Sequence, residues 1–154
     1  MRLTATEDVT APADAFFAQV SDFAALADRA RSLGAIVTAR QEGPAVAGMA
    51  WDIAFQFRGR DRAVVATLTR FDAPDGYTVE TVMEGLIAET QVTVASLDAH
   101  RSQLEVICEL SAKSLTARLL LQSLKLGRGR IAARFQARIS EYAQLAAGRA
   151  QTSA

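Results

Sequence analysis

A chain of 154 residues, half of them hydrophobic and 22% charged, with a formal net charge of zero, fits one domain able to build a core without metal or disulfide staples. That balance excludes wholesale disorder and gives no global attraction to nucleic acid. The single cysteine, Cys108, excludes an internal disulfide, a thiolate zinc site and a redox pair.

Residues 2–10 are rich in threonine and predict a first strand. Pro12 suits the first position of a helix, and Phe16 and Val20 then fall four apart on one face. Ser21-Asp22 supplies a break and a cap before a second short helix from Phe23 to Ser32, which Leu33-Gly34 stops. From Ala35 the period changes to alternation. Trp51, Ile53, Phe55 and Phe57 point one way, and Asp52, Gln56 and Arg58 the other, the pattern of a strand covered on one face. Further strands are predicted at 61–71, 76–84, 87–97 and 102–112, with turn chemistry at Asp72-Ala73-Pro74-Asp75-Gly76, Gly85 and Asp98-Ala99-His100-Arg101-Ser102. Short turns between consecutive strands make an antiparallel meander.

After Ser114 the pattern turns helical. Ala117, Leu120, Leu121, Leu124, Ile131, Phe135, Ile139 and Tyr142 recur at spacings of three, four and seven. About 30 residues give a helix about 45 Å long, against a seven-stranded sheet roughly 34 Å wide, so the helix is expected to lie across the entire sheet. Gly127 and Gly129 interrupt it at about 1 kcal/mol each relative to Ala and predict a kink or close contact between Lys125 and Arg130. The fold class is therefore α+β: an antiparallel sheet of about seven strands, two short helices and one long C-terminal helix. Residues 1–148 form the domain, and 149–154 are expected to be a disordered tail.

Charge is unevenly distributed. From Ser111 onward eight bases face one acid, a net +7, and the first 110 residues carry −7. Leu115, Leu119 and Leu126 form a second apolar stripe on the terminal helix, opposite the first. Its cover is the small helices, a second copy of the chain, or a membrane surface also touched by Lys125, Arg128 and Arg130. Arg58, Arg60 and Arg62 share one side of an extended segment, with Asp52 and Asp61 nearby. A solvated face is the simplest reading, and an anionic head group at a cavity mouth is the alternative.

The run Val9-Thr10-Ala11-Pro12-Ala13-Asp14-Ala15-Phe16-Phe17 into Ser21-Asp22-Phe23, then Gly48-Met49-Ala50-Trp51 with Arg58-Gly59-Arg60, and finally the long helix resemble the START-related, Bet v 1-like helix-grip superfamily (SRPBCC). The likeness is greatest to its bacterial polyketide cyclase/dehydrase and lipid-transport-like branch. The resemblance implies a curved sheet wrapped round the long helix, enclosing a cavity for lipids, polyketides or other apolar small molecules. The inward candidates are Trp51, Ile53, Phe55, Phe57, Met83, Val92, Val94, Val106, Leu120, Leu124 and Ile131, lining either a filled core or an apolar pocket.

Chemistry is sparse. His100, the one histidine, falls in a predicted turn, leaving no histidine-based triad or multi-histidine metal site within one chain. Leu126-Gly127-Arg128-Gly129-Arg130 lacks the strand before it and the Lys-Ser/Thr of a phosphate loop. Asp52 and Glu80 alternate with inward positions and are expected to face solvent. Only a bulge that shifts the parity would carry a carboxylate inward as a general acid or base. Ten aromatic residues without an exposed basic-aromatic platform argue against nucleic acid. The expectation is a binder or carrier of a hydrophobic small molecule, with no catalytic residue, metal or cofactor. A cofactor-independent cyclase or dehydratase, and an interaction protein using its basic helix, are the alternatives. With no signal sequence or membrane span in view, a reducing cytoplasm is the default location.

Overall fold

The computed structural model describes residues 1–152. The chain runs β1 (Arg2–Val9), α1 (Ala13–Val20), α2 (Phe23–Ser32), β2 (Ile36–Ala39), β3 (Ala50–Phe57), β4 (Arg60–Asp72), β5 (Gly76–Met83), β6 (Leu86–Asp98), β7 (Arg101–Ala112), α3 (Leu115–Leu126) and α4 (Arg128–Thr152). The strands form one antiparallel sheet in the order β1-β7-β6-β5-β4-β3-β2, left open because its edges β1 and β2 do not pair. Strands β2 to β7 are the expected meander.

Two-residue turns set the register at one end of the sheet. Arg58-Gly59 joins β3 to β4, and Glu84-Gly85 joins β5 to β6; all four residues have positive φ. That left-handed pair matches the twist of the flanking strands, and glycine at the second position adopts it without strain. At Gly85 space matters as well, since a Cβ would lie 2.5 Å from Ser114 Oγ. This close approach lets Lys113 N–H donate to the Gly85 carbonyl at 2.8 Å, pinning the turn to the start of α3.

The caps follow the sequence. The Asp22 carboxylate accepts from Ala25 N–H at 3.1 Å, and the Ser114 hydroxyl accepts from Ala117 N–H at 3.0 Å. Pro12 is the N-cap of α1 rather than its first helical residue.

The terminal helix departs from expectation in three ways. It breaks at Gly127 into α3 and α4, where a kink was expected. It does not cross the whole sheet: α4 lies along β1 and α1, and α3 rests on β7 and β6. The reason is a stripe of small residues, Ala143, Ala146, Ala147 and Ala150, all buried, which lets α4 approach β1 and α1 closely. Finally, α4 continues to Thr152, so residues 149–152 are helical where a tail was expected; 153–154 lie outside the described residues.

The closed core sits at the end of the sheet away from these turns. Phe16, Val20, Leu68, Leu104 and Ala143 are essentially inaccessible. Beside them Phe17, Phe23, Trp51, Phe71 and Tyr77 form an aromatic cluster, with Phe23 at 5.0 Å from Tyr77 and 5.4 Å from Trp51 between ring centroids.

Candidate functional site

The register gathers one face of every central strand into a continuous apolar surface. Trp51 is opposite Ala66, Ile53 opposite Val64, Tyr77 opposite Val92, and Val79 opposite Thr90. Because α4 is drawn towards β1, this surface is roofed over β3 to β6 by α2. Between them lies a cavity of about 270 Å³, lined from α2 by Phe23, Leu26, Ala27 and Ala30 and from the sheet by Trp51, Ile53, Tyr77, Val79 and Val92 among others. Its volume is near the lower end of small-molecule sites.

The sequence placed this space between the sheet and the C-terminal helix. It lies instead under α2, and none of its lining comes from α3 or α4. Of the inward candidates, Trp51, Ile53 and Val92 come together in its wall. Val94 and Val106 are buried in the core beyond it. Phe55 and Met83 are half-buried on the same face nearer the turns, while Phe57 is exposed at its strand end. Leu120, Leu124 and Ile131 are half-buried on α3 and α4, away from the cavity. Sequence reasoning missed the α2 contribution, although Phe23, Ala27 and Ala30 recur at helical spacing and carried the signal.

The cavity has little polar chemistry. Tyr77 contributes a hydroxyl that already donates to the Val20 carbonyl at 2.8 Å; burial pushes its pKa far above the ordinary phenol range, so it stays protonated. Thr90 is the other hydroxyl-bearing residue in the wall. Cys108, opposite Thr90 on β7, is half-buried, and burial raises its thiol pKa, the state of an inert rather than nucleophilic cysteine. The parity-shifting bulge does occur, between Leu68 and Arg70, but it brings no carboxylate into the wall. Asp52 faces outward, where a two-pronged hydrogen bond from Arg40 at 2.8 and 2.9 Å lowers its pKa. Among the described residues no cluster of His, Cys, Asp and Glu is placed to hold a metal ion.

A second, larger groove of about 410 Å³ lies across the Phe23–Trp51 pair and is bordered by Asp22, Asp28, Arg31 and Glu42. Three of these are already committed to structure. Asp22 caps α2, and Arg31 bridges Asp28 at 2.7 Å and the Val37 carbonyl at 2.8 Å.

Arg62 is the polar residue whose setting the sequence misjudged. Instead of a solvated stripe with Arg58 and Arg60, it stands opposite Phe55 on the apolar face, its side chain only 13% exposed. Its Nη1 donates to Glu84 Oε2 at 2.7 Å, whereas Nε is the one buried side-chain N or O atom among the described residues without a hydrogen-bond partner. Such a donor costs about 1–3 kcal/mol, more when charged. Arg58 lies over the Phe57 ring at 5.2 Å.

An open antiparallel sheet cradling helices, with an apolar hollow on the cradled face, defines a helix-grip protein. No protein-family model and no curated sequence matches the chain significantly, but solved structures share its architecture. The ZhuI aromatase/cyclase from Streptomyces sp. R1128 superposes with a TM-score of 0.64 at 16% identity, covering 98% of this chain and 93% of its own. A START superfamily protein from Mycobacterium smegmatis gives 0.56 at 16% identity over 86% and 95% of the two chains. Norcoclaurine synthase from Thalictrum flavum gives 0.60 at 15% over 87% and 89%. The chain therefore has the helix-grip fold that these structures share.

Proposed function

We propose that this protein binds and carries an apolar small molecule of lipid or polyketide type in the cavity beneath α2, acting in the cytoplasm. The observation that carries the reading is the cavity wall: aliphatic and aromatic side chains, with Thr90 and an already engaged Tyr77 as its hydroxyls. Removing apolar surface from water gains about 25 cal/mol per Å², so a ligand burying about 300 Å² gains roughly 7 kcal/mol before the costs of association. The fold also houses the aromatase/cyclase and norcoclaurine synthase named above, which keeps a cofactor-independent cyclase or dehydratase as the competing reading. Carrier function is favoured because the wall presents no carboxylate or imidazole to move a proton.

Native mass spectrometry of protein purified under mild conditions tests the carrier. Recurrent copurified lipid-like mass supports it; persistently empty protein, unstabilised by added lipid, counts against it.

A second reading concerns where cargo is exchanged. Leu115, Leu119 and Leu126 project from α3 into solvent, Leu126 with 93% of its surface exposed, and Lys125, Arg128 and Arg130 are exposed beside them. Leucines interleaved with bases fit an anionic bilayer better than a second copy of the same basic surface. No helix among the described residues is long and apolar enough to cross a membrane, so this contact is peripheral. If changing Lys125, Arg128 and Arg130 together to Glu leaves cosedimentation with anionic vesicles unaltered, the bilayer reading fails.

A further inference from the structure

The unpartnered Arg62 donor identifies one end of the ligand, an inference that rests on the carrier reading. Strand alternation puts Arg62 on the same face as Val64 and Ala66, and Ala66 lines the cavity. Its register partner Phe55 is two residues beyond Ile53, also a lining residue, which is about 7 Å along the strand. Phe55 and Val64 thus stand on the cradled face between the cavity wall and Arg62, which lies just beyond that wall. Glu84 occupies Nη1 only, while Nε remains buried without an acceptor. The free edge of a guanidinium, its ε N–H with a neighbouring η N–H, is a planar fork that matches the two oxygens of a carboxylate.

We propose that Arg62 anchors the carboxylate end of an apolar ligand whose body occupies the cavity beneath α2. A single hydroxyl leaves one arm of the fork unfilled. A phosphate dianion brings a second negative charge towards Glu84, which already balances Arg62. A monocarboxylate supplies two acceptors with one charge. Glu84, 55% exposed and held in the tight turn after β5, engages Nη1 of the same guanidinium and leaves Nε to the ligand.

The test compares three probes of one chain length, dodecanoate, 1-dodecanol and dodecyl phosphate, by calorimetric titration of the full chain below their aggregation concentrations at pH 8. Dodecanoate is expected to bind at least about tenfold more tightly than 1-dodecanol, the scale of a charge-assisted hydrogen bond. Arg62→Met should remove that preference while leaving 1-dodecanol within about twofold. Glu84→Gln, which keeps the positive partner and removes the competing charge, should tighten dodecanoate a few-fold and leave 1-dodecanol unchanged. That opposite sign keeps the proposal falsifiable should Arg62→Met fail to fold. Equal binding of dodecanoate and 1-dodecanol by the wild type, a preference that survives Arg62→Met, or tighter binding of dodecyl phosphate overturns the carboxylate anchor and leaves the carrier reading standing. Failure of all three probes to bind the wild type overturns both.

Discussion

The two ends of the cradled face are built from similar residues and finish differently. Towards the aromatic cluster, Phe16, Val20, Leu68 and Leu104 are sealed by α1 and by the alanine stripe of α4. Towards the turns, Ile53, Phe55 and Met83 stay half-buried, and a cavity remains under α2, a helix with no fully buried residue. Apolar patterning alone does not decide whether space is filled. The docking of the covering helix does: buried alanines bring α4 tightly onto β1, while α2, although Ala27 and Ala30 also face the sheet, sits over it without closing the space. Stability and ligand capacity are thereby assigned to different ends of one sheet.

That division is most severely tested by Phe16→Ala, which empties a site with no room to relax and should cost about 3–5 kcal/mol in chemical denaturation. A loss below about 1 kcal/mol would dissolve the distinction between sealed and open ends. Next comes Tyr77→Phe, which strands the Val20 carbonyl that the phenol satisfies; unfolding free energy should fall by about 1–3 kcal/mol. On the open side, Ala30→Phe adds a ring to the roof. It should change stability by less than about 1 kcal/mol because the ring enters existing space, yet weaken 1-dodecanol at least about tenfold. Retained affinity would show that the ligand binds elsewhere.

The smallest effect is at the outward Arg40–Asp52 pair. Asp52 has a lowered folded pKa, so its stabilising contribution is present above the ordinary carboxylate range and lost as pH falls through the folded value. The Tm difference between wild type and Asp52→Asn should be widest near neutral pH and close as the pH falls below the ordinary carboxylate range. A gap that widens on acidification would reverse the assigned sign.

Strand order, the short helices and the turn at Gly85 were legible in the sequence because each has a local cause: alternation at Trp51 to Phe57, a cap at Asp22, a glycine at 85. The placement of the terminal helix was not. Its bulky stripe of Ile131, Phe135, Ile139 and Tyr142 invited a position across the sheet, but Ala143, Ala146, Ala147 and Ala150 set the docking, and alanine carries little weight in a hydrophobic pattern while permitting the closest approach. Moving that helix moved the cavity with it. Arg62 was misread for a related reason. Its charge suggested solvent, whereas burial depended on Phe55 across the strand pair and on a counter-charge 22 residues further along the chain.

Methyl-resolved NMR during titration with 1-dodecanol interrogates the site beneath α2 residue by residue. The account predicts the largest shifts at Leu26, Val37, Ile53, Val79 and Val92, with Val20 and Leu104 unmoved. Shifts confined to Leu115, Leu119 and Leu126, or no saturable shift anywhere, would contradict it.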